Sequence, residues 1–246
     1  MDRELRGWLA GAALFMAAVL LLDRPGVVPQ LLSGLATTLF LWLFCRRFGI
    51  AAAQVLCCIA VATTGEVILS LGWGLYSYAH ALIPLYVPPG HGLFYALALA
   101  TSRQQPLLQR ERRITIAVLC FGTLTAVASL IAYGDTWGFL WWVAAMALIV
   151  TSRSQLMLSA CFAYTILLEW FGTANGNWLW AAEVPFLRLT SANPPAGVGV
   201  LYIVLDLVVV GLTARLVGGH AVAVVLPEAE PQPAIAPASL PNAGAA

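Results

Sequence analysis

Three carboxylates stand inside otherwise apolar runs of this chain: Glu66, Glu169 and Asp206. A histidine, His91, opens another such run directly after Pro88-Pro89-Gly90. Ionisable groups are costly to keep in apolar surroundings, so each is a candidate for chemistry. A carboxyl group withdrawn from water can keep its proton and hand it to a substrate, and an imidazole beside it can accept or relay one. Glu66, Glu169, His91 and Asp206 form the candidate catalytic set. Aromatic side chains crowd the same stretches. Trp73, Tyr76 and Tyr78 follow Glu66, while Trp178 and Trp180 follow Glu169, with Asn193 further on. These six are candidate substrate-binding residues. Each has a plainer alternative. The two glutamates can snorkel to water or cap a loop, Asp206 can serve as a satisfied contact between helices, and His91 can bond a loop carbonyl. His80, in an uncharged loop, reads as structural. Trp and Tyr at a membrane interface are most often anchors.

The elements that position these groups follow from composition. The chain has 246 residues, of which 61% are hydrophobic and 9% charged, and its mean hydropathy is +0.87. Soluble domains are about 25% charged, so much of this surface must face lipid. The expected fold is all-α: a polytopic integral membrane protein of about eight transmembrane helices. Apolar runs place them at roughly 7–22, 28–45, 50–72, 83–101, 114–133, 137–152, 155–171 and 197–217. The N-terminal run has a signal-peptide outline but no A-x-A-like cleavage site, and reads as a retained first span. With the N-terminus inside, Arg3, Arg6, Arg46, Arg47, Arg103, Arg110, Arg112, Arg113, Arg153 and Arg215 fall on the inner side, and only Arg24 and Arg188 on the outer. That bias predicts a multi-pass cell-membrane protein with both termini cytoplasmic.

The aromatic, proline-rich connections around 73–90 and 172–196 would then share the outer side. Glu66 precedes Gly72-Trp73-Gly74-Leu75-Tyr76 and the pair Pro88-Pro89; Glu169 precedes Gly176-Asn177-Trp178-Leu179-Trp180 and the pair Pro194-Pro195. Each stretch joins an outward to an inward span, four spans apart, which is the pattern of a 4+4 parallel internal repeat with halves 1–113 and 114–219. After this membrane domain the composition turns to Pro and Ala, and 220–246 reads as a disordered inside tail. His220 carries little signal.

Several classes fall away. A net charge of +1 offers no basic face for nucleic acid. All twelve basic side chains are Arg, so no lysine is present to hold a retinal Schiff base. The five cysteines lie in or beside apolar runs without CxxC spacing and read as small buried hydrophobes. There is no HExxH, no histidine pair four apart, no phosphate loop and no dinucleotide fingerprint. No metal and no cofactor is expected.

The order Glu, Gly-x-Tyr-x-Tyr, proline-rich turn, then a second aromatic loop ending in Ser-x-Asn resembles the membrane carotenoid hydratases of carotenoid biosynthesis. Glu66, Gly74, Tyr76, Tyr78 and Pro84 carry it in the first half, and Trp178, Trp180, Pro185, Ser191 and Asn193 in the second. Ala79 stands where that family usually has Thr, and Pro89-Gly90-His91 replaces an aliphatic-Trp ending. The resemblance implies a hydro-lyase acting on an isoprenoid or other lipid substrate that reaches an outer-side cavity from the bilayer. An acid such as Glu66 would protonate an alkene carbon, faces such as Trp73, Tyr76 and Trp178 would stabilise the cation, and Asn193 or His91 would hold the attacking water. The expected partners are membrane lipid and a hydrophobic small molecule. A small secondary transporter and a non-catalytic membrane partner protein are the rival readings.

Overall fold

A computed structural model describes residues 2–80 and 82–217; the tail expected from 220 onward, with His220, lies outside them. Among the described residues the regular elements are helices, apart from two three-residue strands. The helices are α1 (Arg3–Leu21), α2 (Val27–Phe48), α3 (Ala52–Glu66), α4 (Val87–Ser102), the single turn α5 (Gln105–Leu108), α6 (Glu111–Tyr133), α7 (Thr136–Thr151), α8 (Gln155–Ala174) and α9 (Gly199–Val217). The strands are β1 (Tyr76–Tyr78) and β2 (Trp178–Trp180). Five helical segments are long and apolar enough to cross a bilayer: α1, α2, α3 with its continuation to Gly72, α6 and α8.

The remaining long helices fall on the other apolar runs, with shifted ends. α4 begins at Val87 rather than 83, because prolines suit the first turn of a helix, where an N–H has no partner to lose, and Pro88 and Pro89 occupy that turn. α4 and α7 have 16 residues each, about 24 Å of helix against a hydrocarbon core of about 30 Å.

α4 is the axis of the bundle. It is rich in Gly and Ala, and almost every residue from Val87 to Thr101 is buried. Small side chains let α2, α3 and α8 approach it closely. α1, α2 and α6 instead present leucine and isoleucine outward; Leu14 and Ile131 are 74% and 80% exposed. Such a surface suits lipid and not water.

Past Glu66 the α3 backbone widens into a π-helical turn, Val67–Gly72, with Trp73 N–H reaching Ile68 C=O at 2.7 Å. Single π turns concentrate at functional sites. Gly74 then takes a left-handed conformation (φ 74°) that reverses the chain into β1, and Gly176 (φ 77°) does the same before β2. The strands pair antiparallel, with Tyr76 opposite Trp180, Ser77 opposite Leu179 and Tyr78 opposite Trp178. Bonds from Ala79 N–H to Asn177 C=O and from Ala181 N–H to Leu75 C=O extend the ladder at both ends. In each stretch a left-handed glycine stands two residues before the strand, Gly74 before Tyr76 and Gly176 before Trp178.

Two buried aspartates fasten the turns between helices. Asp23, after α1, accepts from Gln30 Nε2 (2.7 Å), Tyr86 Oη (3.0 Å) and Asn177 Nδ2 (3.3 Å). Asp135, after α6, caps α7 through Gly138 N–H (2.9 Å) and accepts from Ser129 Oγ (2.9 Å), Ala192 N–H (3.0 Å) and Ala196 N–H (2.9 Å). Asp23 thereby ties the start of α4 to Asn177, and Asp135 holds the loop that leads into α9. Asp135→Ala would strand three backbone donors and a hydroxyl, a loss of about 3–5 kcal/mol on the scale of a broken buried polar network. A large fall in thermal midpoint in detergent is the expected outcome; an unchanged midpoint would show that the loop holds without it.

Candidate functional site

At the end of the bundle closed by β1 and β2, α3, α4, α8 and α9 surround a cavity of about 240 Å³. Its floor and walls are mostly apolar, including Leu69, Phe94, Val198 and Leu205. The polar groups that reach it are Glu66, His91, Glu169 and Tyr202, roofed by Tyr76, Tyr78, Trp178 and Trp180. Glu66 and Glu169 are 6% and 5% exposed.

The carboxylates occupy equivalent places with different chemistry. Glu66 Oε2 accepts from Tyr76 Oη at 2.8 Å and Tyr78 Oη at 2.7 Å, and its Oε1 lies 2.9 Å from His91 Nε2. Glu169 Oε2 accepts from Trp178 Nε1 at 2.8 Å and Trp180 Nε1 at 3.0 Å. The period-two spacing Tyr-x-Tyr and Trp-x-Trp puts both rings of each strand on the carboxylate side. Among the described residues no group donates to Glu169 Oε1. One carboxylate thus has donors on both oxygens, as suits an anion, while the other keeps one oxygen free toward the cavity.

The rings also pack on one another across the strand pair. Tyr76 and Trp180 lie 4.5 Å apart between centroids, Tyr78 and Trp178 6.2 Å, and Trp141 meets Trp180 edge-on at 5.8 Å. His91 stacks on Tyr202 at 4.8 Å. Gly172 makes room for this roof, since a methyl group there would overlap the indole of Trp178.

Of the residues singled out from the sequence, Glu66, Glu169, His91, Tyr76, Tyr78, Trp178 and Trp180 come together. Three do not line the cavity. Trp73 donates to Pro185 C=O at 3.0 Å and packs against Trp137. Asn193 accepts from Trp180 N–H at 3.0 Å, so it positions β2. Asp206 lies one turn deeper on α9 than the cavity-lining Tyr202. Tyr202, Asp23 and Asp135 carry no comparable mark in the sequence. The aspartates sit at ordinary span ends, and their partners lie up to 154 residues away; Tyr202 showed only as the end of the second proline-rich stretch. Among the described residues no cluster of three His, Cys, Asp or Glu is placed to hold a metal ion, and all five cysteines are free.

No protein-family model, curated protein or solved structure matches this chain.

Proposed function

We propose that the chain is a membrane enzyme that adds water to an alkene of an acyclic isoprenoid, in the manner of the carotenoid hydratases it resembles. The observation that carries this reading is the unlike pair of buried carboxylates under one aromatic roof. Groups whose surroundings differ this way divide acid from base. Glu169, with Oε1 free, takes the acid role that the resemblance gives to Glu66, whose two oxygens are both engaged, and donates a proton to one alkene carbon as the π bond breaks. The cation on the other carbon faces Trp178, Trp180 and Tyr76, whose π clouds stabilise it. Water adds to that carbon, forming the C–O bond, and its proton passes to the Glu66–His91 pair.

Size and access fit a long apolar substrate. A cavity of about 240 Å³ is below the usual range of about 300–1,000 Å³ for whole ligands, so it takes one end of the molecule. The rest lies toward the bilayer over Val204 and Val208, cavity residues that are 46% and 40% exposed.

The same reading includes two four-helix units joined by duplication, α1–α4 and α6–α9, with eight spans, cytoplasmic termini and the cavity at the outer face. The paired features that support it are Glu66 with Glu169, Gly74 with Gly176, Tyr-x-Tyr with Trp-x-Trp, and Asp23 with Asp135. A small secondary transporter could use such a repeat, but the carboxylates and their aromatic roof gather at one end of the bundle rather than midway.

The test is to incubate the purified protein with an acyclic carotene in ¹⁸O-water and analyse the extract by mass spectrometry. A tertiary alcohol carrying one labelled oxygen is expected. Unchanged carotene, with bulk phospholipid as the only co-purifying lipid in wild type and in a Tyr76→Ala/Trp178→Ala variant, would move the assignment to the transporter.

A further inference from the structure

One helical turn beneath the cavity lies a second polar layer that the proposed chemistry does not use. Four residues on from His91, α4 carries Tyr95; four on from Tyr202, α9 carries Asp206; four back from Glu169, α8 carries Thr165. That spacing stacks each under its cavity neighbour. Tyr95, Thr165 and Asp206 are 2%, 0% and 2% exposed. Tyr95 Oη and His91 Nδ1 have no hydrogen-bond partner among the described residues, and Thr165 Oγ1 and Asp206 Oδ2 have none beyond the weakly bonding thiol of Cys161 between them.

Thr165 is telling because of what its relatives in the fold do. Thr37, Thr38, Thr63, Thr64, Thr151, Thr173 and Thr213 each bond the carbonyl four residues back. That bond is the cheapest way to satisfy a hydroxyl inside an apolar bundle. Thr165 forgoes it. Its near neighbour is the thiol of Cys161, which also adjoins the Asp206 carboxylate, and Cys58 stands close to Asp206 from the α3 side. Buried polar atoms are rarely left without partners. Here Tyr95 stands near Asp206, and Cys161 stands near both Asp206 and Thr165; such a neighbourhood is the usual setting of an internal water, which needs two to four polar contacts.

We propose that Tyr95, Thr165 and Asp206 enclose a bound-water site that links the Glu66–His91 pair to Glu169 from below and returns the proton each turnover moves between them. The return role rests on the hydratase reading; the water site does not. Each hydration leaves Glu169 one proton short and the Glu66–His91 pair one proton richer. His91 Nδ1 passes that proton to the water, Asp206 holds it in transit, and the Thr165 side of the layer delivers it one turn up α8 to Glu169. The cycle closes with no net proton gained or lost.

Hydroxyl-radical footprinting of the full-length protein in detergent, in ¹⁸O-water, reads the site without substrate. Tyr95 is expected to take up labelled oxygen about ten-fold faster than Trp142, an equally buried ring whose Nε1 is satisfied by Thr123 at 3.2 Å. Equal, slow labelling of the two would overturn the water site. For the return role, Asp206→Asn is expected to lower kcat about ten-fold or more with KM unchanged, and to raise the solvent deuterium isotope effect. Unchanged kcat and isotope effect would overturn it. If the wild-type protein leaves an acyclic carotene unchanged while Tyr95 labels fast, the hydratase reading fails and the water site stands.

Discussion

Glu169→Gln is expected to reduce hydration of an acyclic carotene by about a thousand-fold, within the range of about 10²–10⁴ for loss of a general acid. The amide keeps the shape of the side chain and can still accept from Trp178 and Trp180 through its carbonyl oxygen, so the roof stays in place. Insertion, detergent stability and carotene binding should hold at wild-type levels. A loss of binding in step with turnover would make Glu169 a structural support for β2. Glu66→Gln should behave differently. The amide oxygen in that place can still accept from Tyr76 and Tyr78, but the group facing His91 Nε2 becomes a donor instead of an acceptor, so it should disturb His91 as well as slow the reaction. Unequal consequences for two equivalent carboxylates are the signature of divided acid and base roles.

Gly197→Ala is expected to destabilise the fold by about 3 kcal/mol or more, at the upper end of what overpacking costs. A methyl group there would overlap the backbone of Trp141, Trp142 and Gly138, none of which can rotate aside as a side-chain tip would. Its counterpart is Gly90, each five residues before a tyrosine, Tyr202 and Tyr95. There the nearest atom to an added methyl is Met16 Cε at 3.9 Å, an ordinary contact. Gly90→Ala should leave the thermal midpoint within a few degrees of wild type, on the scale of about 0.5 kcal/mol for a tolerated change. Equal effects at both positions would mean that α7 gives way as readily as Met16.

The helix positions and most of the site were legible because both rest on local signals. Apolar runs mark helices, and a glutamate inside one marks itself. Tyr76-Ser77-Tyr78 and Trp178-Leu179-Trp180 were noticed as aromatic clusters, yet not as strands. Three residues give too short an alternation to read, and pairing across a hundred residues leaves no trace in either segment alone. Asn193 misled for a related reason, since a polar side chain near an aromatic loop looks like a ligand group until its backbone partner, Trp180 N–H, is located. The π turn after Glu66 had no sequence mark at all. Asp206 is conspicuous as a carboxylate in an apolar run, whereas Tyr95 and Thr165 join it only through helical spacing on two other helices.

The ties between the first and last parts of the chain bear on its biogenesis. The carbonyl end of α1 is capped by Asn175 Nδ2 and Asn177 Nδ2 at Leu20 C=O, at 3.0 and 2.9 Å, and β1 has no ladder until β2 exists. A nascent chain that has inserted α1 to α4 must therefore wait in the membrane with Asp23 and the Tyr76–Tyr78 edge incompletely satisfied. About two fifths of the polypeptide's length separates the first strand from its mate. The two halves supplied as separate polypeptides should accordingly find each other in the bilayer, and a chain stalled before Gly176 should be an early substrate for membrane quality control.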